Sequence, residues 1–236
     1  MLGLYGSSFS VVELNYTWYQ MARSEALLRM VNGAPPHLLF SAKLTRTITH
    51  ERVEDWRGQV KLYRQGIAPL KKRLLAILVQ LPPDFDRTVS NRCFLAELLD
   101  LLHGVPTAVE FRHRSWAVDL VFGELERRGV SLVTVDEPDL PGLFPSLDVV
   151  TNPALFYVRF HGRNRQGWRS GHMQKKFDYD YGEAELQQWC ERYLAALVRH
   201  ADRGLLFFNN HVRAQAPRNA GLLSSLIEKN RQRLAT

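Results

Sequence analysis

The sequence lacks the features that would tie it to a membrane or an oxidising compartment. It has two cysteines in 236 residues, far apart and in no CxxC motif, which is typical of reduced thiols in a cytoplasmic protein. No apolar run is long enough to span a bilayer. The opening MLGLYGSSFS has neither the basic nor the apolar region of a signal peptide. We therefore expect a cytoplasmic protein with no membrane partner.

Motifs that fix a metal or a nucleotide are also missing. There is no HExxH and no Gly-rich turn after the first apolar run, which a doubly wound dinucleotide-binding sheet usually has. We predict no metal site from such motifs, and the sequence leaves any cofactor unknown. The sequence also leaves the oligomeric state of the protein unknown.

The composition favours a folded protein with a basic surface. Hydrophobic residues make up 45% of the chain, enough for a sizeable core, and the net charge is +7 with a pI of about 9.6. This excess is compatible with an anionic partner such as a phosphate or nucleic acid, but charge alone favours a solvated basic surface.

Short apolar runs alternate with amphipathic segments along the whole chain. This rhythm predicts βα units and a parallel sheet in one domain over residues 1–236. Glycines at 104, 129 and 204 are predicted to follow the ends of three helices. The seven runs are SVVELN (10–15), HLLFSAKL (37–44), LLAILVQL (74–81), TAVEFR (107–112), SLVTVD (131–136), LFYVRFHG (155–162) and LLFFNN (205–210).

Polar side chains recur at alternate positions towards the end of each run. In a (β/α) barrel, one side of every strand faces the helices and the other faces the interior, and sites lie at the carboxyl ends of the strands. We therefore predict a TIM-like barrel whose polar strand ends converge on one mouth. The residues assigned to it by this alternation are Glu13 with Asn15, Ser41 with Lys43, Gln80, Glu110 with Arg112, Thr134 with Asp136, Arg159 with His161, and Asn210.

Several longer motifs resemble the YecE-like family, a domain of unknown function numbered 72. They are VVELNYTWY, FSAKLTRTITH, LVQLPPDF, AVEFRHRSW, YVRFHGR, YDYDYGEAEL, FFNN and QAPRNA, in the family's order from about Phe9 to about Leu223. The resemblance implies a TIM-like barrel and brings no established reaction. A family segment similar to GTSGW has no counterpart before LYGSSFSVVELN, so we expect the first family strand to be absent.

The leading functional hypothesis is a mouth that binds a phosphate-bearing ligand or nucleic acid, with phosphodiester hydrolysis as its chemistry. Arginine forks suit phosphate oxygens, and aromatic side chains can stack on bases. The candidate catalytic residues are Glu13, Glu110, Asp136 and His161, the last oriented by Asp136 for proton transfer. The candidate ligand-binding residues are Asn15, Lys43, Arg112, His113, Trp116, Arg159, Arg163 and Asn210.

Three alternatives remain open. The acids and bases at the strand ends are equal in number, so they could satisfy one another in a non-catalytic barrel. Glu13 and Glu110 could form the carboxylate pair of a glycoside hydrolase. Carboxylates and histidines, among them His50 and His211, could bind Zn²⁺ or Mn²⁺ for a metal-assisted hydrolysis.

The segment from Gly162 to Glu183 is predicted to be a long functional loop. It is basic in its first half and acidic and aromatic in its second. We expect the first half to contact an anionic ligand, and the second half to begin the next helix, with acids near its amino terminus.

Overall fold

The computed structural model describes residues 2–234 and divides the chain into two compact units, residues 1–116 and 117–236. Three terminal residues of the domain predicted over 1–236 thus lie outside the described part. Below, these units are called unit 1 and unit 2. Each alternates strands with helices, as the periodicity predicts.

Unit 1 contains four parallel strands that pair in chain order. The strands are β1 (Val11–Leu14), β2 (Leu39–Lys43), β3 (Leu74–Gln80) and β4 (Thr107–Glu110). The helices are α1 (Leu2–Gly6), α2 (Tyr16–Tyr19), α3 (Ser24–Asn32), α4 (Arg46–Thr49), α5 (Trp56–Ile67) and α6 (Val89–Leu101), with 3₁₀ turns at Ala68–Arg73 and Arg114–Trp116.

Local chemistry explains where the long helices of unit 1 begin and how closely they pack. The Asp55 carboxylate accepts the Gly58 amide at the start of α5, and this side-chain cap satisfies a backbone donor that has no partner within the helix. Gly66 lets α5 approach the segment between α2 and α3, because a Cβ there would lie 2.1 Å from the Ala22 carbonyl oxygen. These contacts hold α5 beside β2, where the Tyr63 hydroxyl donates to the Lys43 carbonyl.

Unit 2 contains three parallel strands, again paired in chain order. They are β5 (Ser131–Asp136), β6 (Phe156–Phe160) and β7 (Gly204–Phe208). The helices are α7 (Asp119–Arg127), α8 (Arg165–Arg169), α9 (Met173–Lys176), α10 (Glu183–Trp189), α11 (Ala195–His200) and α12 (Gln215–Leu234), with a π turn at Cys190–Leu194 and a 3₁₀ turn at Val212–Ala214.

One side of the unit 2 sheet packs against helices. Phe156, Val158 and Phe160 of β6 join a buried cluster with Leu186 and Trp189 of α10. We call this the helix-facing side. Alternation along β6 then places Tyr157 and Arg159 on the opposite side.

Two sequence expectations need correction in unit 2. Gly204 does not follow a helix end: α11 ends at His200, and Gly204 is the first residue of β7, where a Cβ would collide with the Phe156 ring. The predicted long loop after β6 contains two short helices, α8 and α9. The glycines at 104 and 129 do have positive φ, as a helix-terminating glycine requires.

Candidate functional site

The strand ends of unit 1 carry their polar side chains on one side of the sheet. Glu13 pairs in register with Ser41, and Gln80 pairs with Glu110. Paired residues of parallel strands point to the same side, as do residues two apart, so Lys43 belongs to this row as well. The prediction that these residues share one side is confirmed within unit 1.

Glu110 and Arg112 form a buried ion pair at the end of β4. The Arg112 Nε lies 2.6 Å from the Glu110 Oε1, and the two side chains are 4% and 0% exposed. Burial of either charge alone would cost several kcal/mol, on the order of the desolvation penalty of an ion in protein, so the pairing explains why both are tolerated. Glu110 and Arg112 therefore depend on each other and form a pair, not two separate candidates.

The short helix α2, which follows β1, fixes the position of Lys43. The Thr17 hydroxyl lies 2.7 Å from the carbonyl oxygens of both Leu14 and Lys43. The Lys43 ammonium lies 4.7 Å from the centroid of the Trp18 ring, within the range of a cation–π interaction. Lys43 is 9% exposed, so its position at the end of β2 is both buried and tightly determined.

His50 follows α4 at the same end of unit 1. Its imidazole packs edge-on against Trp18, with ring centroids 5.0 Å apart, and its Nδ1 lies 2.8 Å from the Thr49 hydroxyl. Burial, with the nearby charges of Lys43 and Arg112, lowers the pKa of His50 from its ordinary 6.5 to about 4. The side chain is therefore neutral at pH 7.

Three further candidates of unit 1 have local roles. Asn15 donates from Nδ2 to the Glu13 carboxylate at 2.9 Å, and the Nδ1 of His113 lies 2.7 Å from the Ser115 hydroxyl. Trp116 differs from expectation: it is 2% exposed, donates its indole N–H to the Phe85 carbonyl, and is stacked on by Phe85 and Phe111. No ring face remains on which a ligand could stack, so Trp116 packs in the core.

In unit 2 the strand register separates residues that the alternation had grouped together. Val135 pairs with Arg159, whereas Asp136 pairs with Phe160 on the helix-facing side. The Asp136 side chain therefore lies on the opposite side of the sheet from Arg159. Contrary to expectation, Asp136 does not orient His161 with its carboxylate; its backbone carbonyl accepts the His161 amide instead.

Asp136 forms the centre of a hydrogen-bonded network on the helix-facing side. Its carboxylate accepts from the Arg163 guanidinium at 2.6 and 2.9 Å and from the Tyr181 hydroxyl at 2.7 Å. The hydrogen bond to Asp136 raises the pKa of Arg163, and burial raises the pKa of Tyr181 well above its ordinary value, so both stay protonated donors. The network holds Arg163 in place with its side chain 31% exposed.

A cleft of about 290 Å³ lies beside this network in unit 2. Its charged lining residues are three arginines and three acids, namely Arg163, Arg165, Arg192, Asp136, Glu137 and Asp139. Because the two signs are present in equal number, the charge of the cleft does not select an anion, and we do not place the phosphate site there.

The other side of the unit 2 sheet carries a second polar group. Arg159 and His161 are fully buried, and the Asn209 amide lies 3.3 Å from the His161 Nδ1. An amide N–H facing Nδ1 makes that nitrogen the acceptor and puts the imidazole proton on Nε2. Asn210, the predicted residue, instead donates to the Tyr179 carbonyl and to Asn219 of α12.

Residues 163–177, which we call the flap, form a basic segment after β6 that contains α8 and α9. The Asn164 side chain accepts the Gly167 amide at 2.9 Å and donates to the Lys175 carbonyl at 2.9 Å, which ties α8 to α9. The Lys176 ammonium lies 3.6 Å from the centroid of the Trp168 ring. All five of the flap's charged side chains are Lys or Arg, namely Arg163, Arg165, Arg169, Lys175 and Lys176.

Sequence reasoning named His50 only as a possible metal ligand, and it did not assign Asn209 to the strand-end residues. His50 follows a short helix, so no strand alternation points to it. Asn209 was one position from the predicted Asn210, and its place was settled by the pairing of β6 with β7.

Within residues 2–234 there is no group of three His, Cys, Asp or Glu side chains that could hold a metal ion, and no helix long and apolar enough to cross a membrane.

Comparison with known proteins gives a consistent result. The family model described as "Protein of unknown function DUF72" matches residues 1–236. The UPF0759 protein YunF of Bacillus subtilis (strain 168) is 27% identical over 244 residues, which cover 96% of this chain and 86% of that protein.

Solved structures support the fold. A DUF72 family protein of Enterococcus faecalis V583 has a TM-score of 0.88 and 28% identity, covering 97% of this chain and 88% of its own. A second, from Thermotoga maritima MSB8, has a TM-score of 0.83 and 33% identity, covering 93% and 85%. The predicted fold class, an α/β fold of the TIM-like barrel type with seven strands, is confirmed.

Proposed function

The chain belongs to the DUF72 family, whose description assigns no function, and from that premise we propose that it binds a phosphate-bearing ligand, with nucleic acid as the first candidate. The proposed contact surface is the flap. Phosphodiester hydrolysis is the chemistry that we propose for the strand ends.

The observation that carries this proposal is the charge of the flap. Asp and Glu are absent between Gly162 and Phe177 in the sequence, and Arg165, Arg169 and Lys175 are exposed. Exposed cations on one segment with no acid among them attract an anion, and an anion bound there would lower their mutual repulsion. Arginine forks can each bind two phosphate oxygens, and the face of Trp168 already binds a cation, Lys176.

The proposed hydrolysis uses cations at the strand ends to stabilise charge that develops on the phosphoryl oxygens. In unit 1 these are Lys43 and Arg112, beside the carboxylates Glu13 and Glu110. Asp136 acts in this proposal as a positioning residue for Arg163 and performs no proton transfer itself.

A fluorescence titration of the full chain with labelled single-stranded and duplex oligonucleotides at two salt concentrations tests the binding. We expect salt-dependent affinity. Replacing Arg169 and Lys175 with Gln should reduce the slope of log affinity against log salt by about 1.4 for single strands and about 1.8 for duplexes, since two phosphate contacts are lost.

A matched control has the same net charge as the flap variant. Replacing Lys71 and Lys72 with Gln removes two exposed cations from the turn that precedes β3, far along the chain from the flap. The control should bind as the unchanged protein does. Equal losses in both variants would show that only net charge matters, and binding that is absent at low salt would end the proposal.

A second function is favoured by the buried ion pair of unit 1. Because Glu110 neutralises Arg112 without a ligand, the strand ends could serve stability alone, in a barrel that binds without catalysis. A chromogenic phosphodiester separates the two functions. Turnover that falls when Lys43 is replaced by Met supports hydrolysis, and turnover absent from the unchanged chain supports the non-catalytic function.

A further inference from the structure

We propose that His50 is the proton acceptor of a catalytic site at the strand ends of unit 1, where Lys43 and Arg112 bind the phosphoryl group of the substrate. This inference rests on the proposed function and names the site and base of the hydrolysis. It concerns a residue that the strand pattern does not single out.

Thr49 sets which nitrogen of His50 can accept a proton. The Thr49 hydroxyl is fully buried and lies 3.3 Å from the Thr45 carbonyl oxygen and 2.8 Å from the His50 Nδ1. A hydroxyl has one proton to donate, and a carbonyl can only accept. Both contacts are satisfied only if the hydroxyl donates to Thr45 and accepts from the Nδ1–H of His50. The lone pair of His50 is then on Nε2.

All four strand ends of unit 1 contribute groups around His50. Trp18, on α2 after β1, packs edge-on against its imidazole, and the same ring lies 4.7 Å from the Lys43 ammonium. The charged groups close enough to change its pKa come from the other three strand ends, namely Lys43 of β2, Asp84 after β3, and Glu110 and Arg112 at the end of β4. This convergence is what a site at the carboxyl ends of parallel strands requires.

Lys43 is the cation near His50 that a phosphoryl anion would contact first, since Arg112 is already paired with Glu110. Burial and the cations Lys43 and Arg112 hold the pKa of His50 at about 4, and the acids Asp84 and Glu110 oppose this shift. The imidazole is therefore an unprotonated acceptor at pH 7. A phosphoryl anion beside the two cations would offset their charge and raise the pKa of His50 towards the pH at which a general base is most effective.

The reaction step balances with water as the only co-reactant. His50 Nε2 takes a proton from water as the water oxygen bonds to phosphorus and one ester P–O bond breaks. The leaving oxygen takes up a proton from solvent, and His50 returns its proton to solvent. The products are a phosphomonoester and an alcohol, with Lys43 and Arg112 stabilising charge on the phosphoryl oxygens.

Nuclear magnetic resonance of ¹⁵N-labelled full-length protein tests the inference without relying on turnover. Without ligand, we expect His50 to be the Nδ1–H tautomer with a pKa of about 4. Inorganic phosphate should raise this pKa to about 5 or higher, as an anion within a few ångströms does. Replacing Lys43 with Met should raise the pKa without ligand and weaken the phosphate response.

Lys61→Met is the matched control, because Lys61 is an exposed lysine on α5. This variant should keep the full phosphate response. A His50 titration that phosphate leaves unchanged would overturn the inference, as would an Nε2–H tautomer.

The outcome is independent of the oligonucleotide titration. If the flap variants lose salt-dependent binding while His50 ignores phosphate, the proposed function stands and this inference falls. If His50 responds to phosphate but no oligonucleotide binds, the site stands as one for a small phosphate ester, and the nucleic-acid assignment falls.

Discussion

Glu110 and Arg112 differ from the exposed ion pairs of the chain in what their separation would cost. Both side chains are almost fully buried, whereas Arg57 and Glu97 form a pair in which each side chain is at least 42% exposed. Water solvates an exposed charge that loses its partner, but a buried one is left without compensation. Burial, and not the presence of an ion pair, therefore decides which pairs matter for stability.

Glu110→Gln should lower the free energy of unfolding by about 3–5 kcal/mol, because Arg112 is left as an uncompensated buried charge. Glu97→Gln is the matched control and should cost far less, because water solvates the exposed Arg57 that loses its partner. Urea-induced unfolding followed by circular dichroism measures both. Equal losses in the two variants would contradict the assignment of Glu110 and Arg112 as a buried pair.

Residue-level prediction from the sequence succeeded where alternation alone determines position. Glu13, Lys43 and Glu110 are on one side of the unit 1 sheet because strands alternate, and the sequence contains that alternation. His50 and Trp116 could not be predicted in this way. Their positions depend on the turns after β2 and β4 and on which side chains pack against them.

At the level of elements, all seven apolar runs contain strands, but sequence did not determine which side of β5 faces the helices. Every residue of β5 is buried, so both rows read as core, and only the pairing with β6 shows that Asp136 shares a side with Phe160. The same ambiguity at the end of β7 led to the prediction of Asn210 where the structure has Asn209 beside His161. A parallel strand covered on both sides contains little sequence information about its orientation.

Gly162 joins β6 to the flap, and two features of the structure require glycine at this position. Its φ is +84°, and a Cβ would lie 2.6 Å from the Tyr179 Cβ. Gly104 has φ +79° but open space around its Cβ position. Gly104→Ala should therefore lower the free energy of unfolding by only about 1–2 kcal/mol, the cost of a left-handed backbone at alanine. Gly162→Ala should lower it by about 1–3 kcal/mol more, because of the collision.

Thermal unfolding of the two glycine variants measures the difference. Gly162→Ala should also weaken the contact between the Gly162 amide and the Tyr181 hydroxyl, which are 2.9 Å apart, and so disturb the support of Asp136. If both variants lost the same stability, the collision with Tyr179 would have no energetic consequence.

Asn219 ties α12 to the segment that precedes α10. Its side chain accepts from Asn210 and from the Tyr181 amide, and donates to Asp180 and to the Tyr181 carbonyl. Asn219→Ala should destabilise the chain by about 2–4 kcal/mol, because several buried groups lose a partner at once. Ser225→Ala, on the exposed face of the same helix, should change stability by less than about 0.5 kcal/mol in the same urea experiment.

At the level of the whole molecule, the net charge of +7 is a poor guide to function unless its distribution is known. Glu110 balances Arg112 at the end of β4, and Asp136 at the end of β5 balances Arg163, the first residue of the flap. The flap has no acid of its own and leaves cations exposed. The sequence predicted this uneven distribution, since the segment from Gly162 to Glu183 changes from basic to acidic along its length.

Acid stability is a property of the whole chain that His50 should influence. Its pKa in the folded chain is about 4, below the ordinary 6.5. Between these values the unfolded chain binds a proton that the folded chain does not, so stability should fall as the pH falls from about 6.5 to about 4. Above about 6.5, this contribution is fully present.

Replacing His50 with Gln should remove part of that dependence, and the control is the same replacement at the exposed His103. One proton corresponds to a slope of at most about 1.4 kcal/mol per pH unit, and solvent around the partly exposed ring makes the measured change smaller. Urea unfolding at several pH values between about 4 and about 7 measures the slopes. Because carboxylates titrate in the same range in every variant, only the difference between His50→Gln and His103→Gln isolates the imidazole. If the two slopes were identical, His50 would not be held neutral by its burial and by the neighbouring charges of Lys43 and Arg112.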